Sequence, residues 1–323
     1  MKFLKKLRRS SNFNTVLILL GMCLILAIAV GDKFLTMSNI TNVIRQFSFI
    51  ALMALGMLLV IITGGIDLSV GSVFAFSGIM ACMSIAQWGW PVLLGVLFGL
   101  LSGAVFGYLN GFLITKLRLS PFIATLGTMS IARGLAYGIT GGYPVSGLPE
   151  SFKFIGLGMI PSTGVIRIPM PIILMVVFAF LFSFFLKKTV PGRHIYAIGG
   201  NEEATRISGV RVGRVKRIVY TLCGLMAAIS GIATAARLGV GQSTAGIGYE
   251  MDAIAAVIIG GASVSGGSGT VMGVIIGAAI MGVLNNGLVL LNVSAYWQQA
   301  VLGVVIIAAV AFDKLQSQRK ANK

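Results

Sequence analysis

The sequence predicts an all-α, polytopic membrane helix bundle of about ten transmembrane spans, and three observations carry that reading. Of the 323 residues, 57% are hydrophobic and 10% charged, with a mean hydropathy of +0.97. Those values lie well outside the soluble globular range. Several apolar runs exceed the roughly 18 residues that cross a bilayer. The basic residues, which give a formal net charge of +17, cluster between those runs. In a soluble chain such a charge would suggest nucleic acid. Here membrane topology and anionic membrane lipid account for it, and no nucleic-acid partner is expected.

The elements follow in order. Residues 1–14 carry Lys2, Lys5, Lys6, Arg8 and Arg9 ahead of Thr15–Val30. That run is long for the core of a signal peptide and no A-x-A-like site follows, so an uncleaved first span is expected. Phe47–Ile66 and Leu68–Ala86 come next, joined by the short GGIDLS stretch. Pro91–Thr115 and Pro121–Gly141 are the fourth and fifth spans, and the polar segment Gly142–Ile168 is expected outside. After the sixth span, Pro169–Leu186, comes the longest polar interval, taken as a loop over residues 187–217. Beyond it lie Ile218–Gly239, a short external segment Gly241–Glu250, then Asp252–Gly261, Thr270–Leu291 and Ala295–Phe312. Asp252–Gly261 is too short to cross alone. An even number of spans puts both termini on one side. The N-terminal stretch, Lys116 and Arg118, the long polar loop and a tail with Lys314, Arg319, Lys320 and Lys323 hold most of the 25 Lys and Arg residues. That side is therefore cytoplasmic. The whole chain, 1–323, reads as a single transmembrane domain.

Three local patterns say more. Within the polar loop, Asn201–Val210 (NEEATRISGV) reads as one short helix. Asn201 suits the N-cap, Glu202 and Glu203 suit the positive helix start, and Gly209 suits the stop. It is either a solvated loop that fixes topology or a knob that docks a cytoplasmic partner. Gly95, Gly99, Gly103, Gly107 and Gly111 recur every fourth residue along the fourth span, a groove that lets another helix backbone approach closely. Finally, GGIDLSVGS (Gly64–Ser72) and GGASVSGGS (Gly260–Ser268) share G-G-x-x-x-S-x-G-S at an offset of 196 residues. Duplicated, Gly-interrupted hairpins at corresponding places mark a translocation pathway in repeat-built carriers. Gly64, Gly65, Asp67, Ser69, Gly260, Gly261 and Ser265 are the pathway or gating candidates on that ground, together with Arg133.

Few ionisable groups fall in the spans. Asp67 either lines the pathway or caps the helix that follows. Arg133 either bonds carbonyls that neighbouring glycines expose or contacts the transported solute. Arg237, Glu250 and Asp252 bracket the short external segment as a gate, a docking rim or charges at helix ends. Cys23, Cys82 and Cys223 lie singly in apolar spans and read as packing residues. Asn39-Ile-Thr41 matches a glycosylation pattern short enough to arise by chance. His194 is the only histidine, so no paired-histidine metal motif can form, and phosphate-loop and nucleophile-elbow patterns are absent. No catalytic residue, metal or cofactor is expected. Any ATP-driven step must come from another chain.

Five stretches taken together resemble the permease subunits of bacterial ABC sugar importers, in the ribose and simple-sugar branch. They are Gly56–Ser72, Pro121–Gly134, Gly192–Val210, Ser243–Gly273 and Leu284–Gln299, and the resemblance runs from about Ser38 to Asp313. It implies a homodimer, or a pair with a homologous permease, in the plasma membrane. It also implies two cytoplasmic ATP-binding subunits and an extracytoplasmic sugar-binding protein. In that family a short helix couples the ATPase to the spans. The residues that carry its pattern here are Asn201, Glu202, Glu203, Ala204, Gly209 and Val210. The alternative is a self-sufficient secondary carrier or channel for a small neutral solute.

Overall fold

The computed structural model describes residues 13–161, 167–294, 296–305, 307–308 and 311. The basic N-terminal stretch and the C-terminal tail lie outside the described residues, as does part of the expected last span. The chain is helical. Its elements are α1 (Phe13–Val30), α2 (Asp32–Leu35), α3 (Met37–Ile62), α4 (Val70–Ala86), α5 (Val92–Lys116), α6 (Pro121–Thr140) and α7 (Glu150–Leu157). A two-residue antiparallel pair, β1 (Met159–Ile160) and β2 (Ile168–Pro169), follows. Then come α8 (Met170–Lys188), α9 (Val190–Gly200), α10 (Glu202–Ile207), α11 (Val212–Leu238), α12 (Tyr249–Ile259) and α13 (Val271–Leu290). Among the described residues six helices are long and apolar enough to cross a membrane: α3, α5, α6, α8, α11 and α13. The apolar helices over Thr15–Val30 and α4 are shorter.

Burial separates the helices into two classes. From Ser48 to Ile62, α3 is buried on every side, which is why its sequence is apolar all round rather than striped. Its flanks are α11, α12 and α13, with α8 and α9 completing the central cluster. By contrast α5, α6 and α8 expose most of their apolar side chains. Leu93, Leu97, Leu101 and Val105 of α5 point outward. Its glycine stripe points inward: Gly95, Gly99, Gly103, Gly107 and Gly111 are buried. A methyl on Gly99 would lie 2.7 Å from the Ser77 carbonyl oxygen, and one on Gly111 2.7 Å from the Arg217 Cα. The stripe is thus the seam along which α5 lies against α4 and α11.

Several boundaries differ from those read off hydropathy. The second apolar helix starts at Met37, ten residues early, because Thr36 caps it by accepting from the Asn39 N–H at 3.2 Å. Asn39 and Asn286 exchange side-chain hydrogen bonds at 3.1 and 2.8 Å, so the amide in the glycosylation pattern clasps α3 to α13. The interval 187–217 is mostly helix rather than loop. It holds the end of α8, then α9 and α10, and α11 already begins at Val212. The expected external segment 142–168 contains α7. Phe152 on α7 is fully buried, and Gly156 lies against the α11 backbone at Ala233 and Arg237. At 11 residues, α12 is about 16 Å long and cannot cross a bilayer by itself.

Candidate functional site

The two halves of the sequence repeat meet at one end of the bundle, and a third glycine pair lies between them. In the first repeat α3 closes with Gly64 at φ +76°, and the Gly65 N–H donates back to the Val60 carbonyl at 3.0 Å. In the second, α12 closes with Gly261 at φ +86°, and the Ala262 N–H donates to the Val257 carbonyl at 3.2 Å. Both are left-handed glycine closures of a helix C-terminus, offset by one position in the repeat. The next turn is shared as well. Ser69 N–H donates to Asp67 Oδ1 at 2.9 Å, and at the matching position Ser265 N–H donates to Ser263 Oγ at 3.3 Å.

The third pair is Gly199–Gly200, the last two residues of α9. The Gly267 N–H donates to the Ile62 carbonyl at 2.9 Å, joining the second loop to the end of α3. Gly199 lies against the same two groups so closely that a methyl on it would collide with both. Tyr196, one turn earlier on α9, donates its hydroxyl to the Gly269 carbonyl at 2.8 Å. Burial raises the Tyr196 phenol above its usual pKa, in keeping with a neutral hydroxyl donor. At Gly199 backbone meets backbone, while the Tyr196 side chain supplies the further bond from α9 to the second loop.

Helix α10 begins directly beyond that junction. Asn201 is its N-cap and accepts from the Ala204 N–H at 2.9 Å, while Gly209 follows the helix at φ +85°. Glu202 pairs with Lys216 of α11 at 2.6 Å, and Glu203 pairs with Arg206 on the helix itself. Val210 is half-buried against the core. Ile207 is 79% exposed, which leaves a large apolar side chain at the tip of a polar helix.

The first repeat loop also holds a buried polar network. Asp67 is 1% exposed and accepts from the Ser69 hydroxyl at 2.6 Å and from the Asn110 amide at 3.3 Å. Asn110 also donates to Ser69 Oγ at 2.8 Å, and its carbonyl accepts from the Thr128 hydroxyl at 2.6 Å. One loop and the two largely exposed helices α5 and α6 are thereby joined through side chains. The Cys223 thiol faces the same carboxylate. Nearby, Tyr220 Oη is buried without a hydrogen-bond partner among the described residues. Arg133 lies further along α6, roughly a turn and a half beyond Thr128. It donates to the carbonyls of Ser243 at 2.5 Å, Ala245 at 2.7 Å and Gly71 at 3.2 Å. Gly260 packs on Gly273 of α13, and Ser265 is exposed.

The structure therefore joins the loop after Gly64 to the Gly260–Ser268 loop at Gly266 and Gly267, beside the Gly199–Gly200 end of α9, and among the described residues Arg133 reaches the first repeat only at Gly71. Sequence reasoning missed Tyr196, Gly199, Gly267, Asn110 and Ile207. A signal existed for Gly199, since the doublet in AIGGNEE repeats the glycine pairs of the two hairpins. Asn110 sits between glycines in an apolar run, and polarity at that depth was the signal there. Among the described residues no group of three or more His, Cys, Asp or Glu could hold a metal ion.

Comparison with known proteins gives a consistent result. The profile of the family described as branched-chain amino acid transport system / permease component matches residues 39–310. The ribose import permease protein RbsC of Escherichia coli K12 is 44% identical over 301 residues, covering 91% of this chain and 92% of its own. The protein of the same name from Bacillus subtilis 168 is 44% identical, covering 92% of each chain. The D-allose transport system permease protein AlsC of Escherichia coli K12 is 39% identical, again covering 92% of each. No solved structure matches. These relatives are transport components rather than enzymes, and this chain belongs to the permease family of branched-chain amino acid-type transport systems as a multi-pass membrane protein.

Proposed function

We propose that the chain is the membrane-spanning subunit of an ATP-binding-cassette importer that admits a monosaccharide, ribose or a similar pentose or hexose, across the bacterial inner membrane. Identity to the ribose and allose permeases over nine-tenths of the chain supports the solute class. Two copies, or one copy and a homologous permease, form one path, with two ATP-binding subunits beneath and a sugar-binding protein outside. The chain crosses about ten times with both termini in the cytoplasm. Trp88 and Trp90 cluster with Phe98 at one end of α5, and Lys116 and Arg118 lie at the other. That arrangement suits an outer aromatic belt and an inner basic face.

The observation that carries the coupling mechanism is the glycine junction. Helix α10 is the element the ATP-binding subunit grips, with Asn201, Glu202, Glu203, Ala204, Gly209 and Val210 shaping it and Ile207 as its apolar contact. A push on α10 passes through α9 to Gly199. From there it reaches the end of α3 at Ile62, just before the Gly64–Ser69 loop, and the Gly260–Ser268 loop at Gly267 by direct backbone contact. Those loops end α3 and α12 and begin α4 and α13, so their displacement re-aims four helices at once. Asp67 and Ser69 hold the first loop to α5 and α6, and Arg133 ties α6 to the outer segment. Closure at the inner end is thereby transmitted outward. Monosaccharides are neutral, and a path for them needs few charges.

Purification of the tagged full chain from its native membrane in mild detergent tests the reading. An ATP-binding subunit is expected in near-equal amount. If the chain emerges alone and moves solute in vesicles without ATP, it is a self-sufficient carrier and α10 couples nothing.

A further inference from the structure

A wide groove of about 1000 Å³ opens beside α10, between the α5–α6 turn and the start of α11. Its walls are strongly basic. Lys116 and Arg118 enter from the turn, Arg206 from α10, and Arg211, Arg214, Lys216 and Arg217 from the start of α11. Glu202 is the single carboxylate among the described lining residues, and Lys216 already neutralises it. Arg206 is likewise paired, with Glu203. The other five cations have no carboxylate partner among the described residues. Five unmatched positive charges from two elements around one cavity repel each other until an anion joins them.

Two further features indicate what that anion is. Arg118 holds φ +57°, a left-handed conformation in which glycine is the unstrained residue. The chain thus carries a strained arginine at the one turn position where a glycine would fit more easily, and its side chain lines the groove. The groove is also continuous with apolar surface. Leu119 lines it, Leu117 adjoins it, and Phe122 and Ile123 are exposed on the first turn of α6, which enters the bilayer there. A basic cavity with an apolar rim at that depth fits an amphiphile rather than a free ion.

We propose that this groove binds the phosphate headgroup of an anionic phospholipid, whose acyl chains lie along Phe122 and Ile123. The lipid bridges the α5–α6 turn to α10 and α11, the segment that carries the proposed coupling motion. The choice of the inner leaflet rests on the topology proposed above; the site itself does not.

Native mass spectrometry of the full chain in neutral detergent tests it. The titrant is dioleoyl phosphatidylglycerol, with dioleoyl phosphatidylcholine and sodium phosphate as separate arms. Saturable retention of phosphatidylglycerol alone is expected. Arg118→Gly is expected to weaken it about fivefold and the double variant R211A/R214A about 25-fold, at roughly fivefold per basic side chain. Arg118→Gly is also expected to melt no lower than the parent chain, which separates lost binding from lost folding. Three results overturn the assignment. One is equal affinity of the variants for phosphatidylglycerol. A second is displacement of the lipid by millimolar phosphate, which makes the ligand a soluble anion. The third is loss of the co-purifying ATP-binding subunit from variants that still retain the lipid, which makes the groove a protein dock.

Discussion

The loop over Gly64–Ser69 and the loop over Gly260–Thr270 descend from one sequence pattern and share a helix-closing turn, yet they have become different devices. The first is a sealed polar knot. Asp67 is buried and hydrogen-bonded by side chains on its own loop and on α5, and α4 restarts at once, at Val70. The second has serine in place of the aspartate and runs on through Gly266, Gly267 and Gly269 before α13 begins at Val271. Ser265 and Ser268 are exposed, and the loop makes its outside contacts with backbone atoms. The difference teaches that one repeat is held by side-chain chemistry and the other by shape. Each should therefore fail under a different kind of substitution.

The largest effect is expected where shape alone decides. Gly199→Val places a branched side chain against the Ile62 carbonyl and the Gly267 N–H, both of them backbone that cannot move aside. A loss of more than about 4 kcal/mol is expected, enough to remove the monodisperse peak in fluorescence-detected size exclusion. The neighbouring Gly200 is a control within one residue. Nothing lies within 4 Å of a methyl placed there, so Gly200→Ala should change the melting transition by less than about 0.5 kcal/mol. Equal damage by the two would show that helix flexibility, rather than the junction, makes glycine necessary.

Chemistry decides the next. Asp67→Ala leaves the Ser69 N–H, the Ser69 hydroxyl and the Asn110 amide short of an acceptor in a dry site. About 3 kcal/mol of destabilisation is expected from thermal unfolding. Ser263→Ala removes the matching group in the second loop, where water can replace a single 3.3 Å bond. Less than about 0.5 kcal/mol is expected there. Similar costs at both positions would erase the distinction between the loops.

How much of this was legible beforehand follows from the same contrast. Hydropathy marks where apolar runs lie, so the helices around Pro121–Thr140 and Met170–Lys188 sit within a few residues of expectation. It is blind to polar residues that form helix by capping, so the ten residues before Phe47 and the whole of α9 were missed. The glycine stripe of α5 was legible because a four-residue period has one geometric meaning on a helix. The cap of α10 was legible because Asn-Glu-Glu is a local signal. The junction was not. It depends on three segments separated by more than sixty residues each, and no local pattern says which glycine pairs meet. Carbonyl bonding was one of the two readings of Arg133, but the sequence could not say that the three carbonyls would come from two distant segments.

A smaller effect probes the link from α9 to the second loop. Tyr196→Phe keeps the ring and removes the hydroxyl that donates to Gly269. About 1 kcal/mol is expected, and hydrogen exchange at Gly269 and Thr270 should rise while exchange at Ser69 stays unchanged. A rise in both loops would mean that they behave as one unit despite their different construction.

The smallest effect on stability is expected to be the largest on transport. Glu203 is exposed and among the described residues pairs with Arg206, one turn along the same helix. Such surface pairs contribute little, so Glu203→Arg should shift the melting transition by less than about 0.5 kcal/mol. Yet it puts a positive charge at the N-terminus of α10, beside the exposed Ile207, where the helix dipole and the proposed partner both favour a negative one. Sugar uptake by reconstituted complexes should fall at least tenfold while the variant inserts and pairs as before. Both repeat loops should keep their exchange protection, because the change acts upstream of the junction. If uptake stays normal, the push does not enter through α10, and the junction is a static brace between two loops.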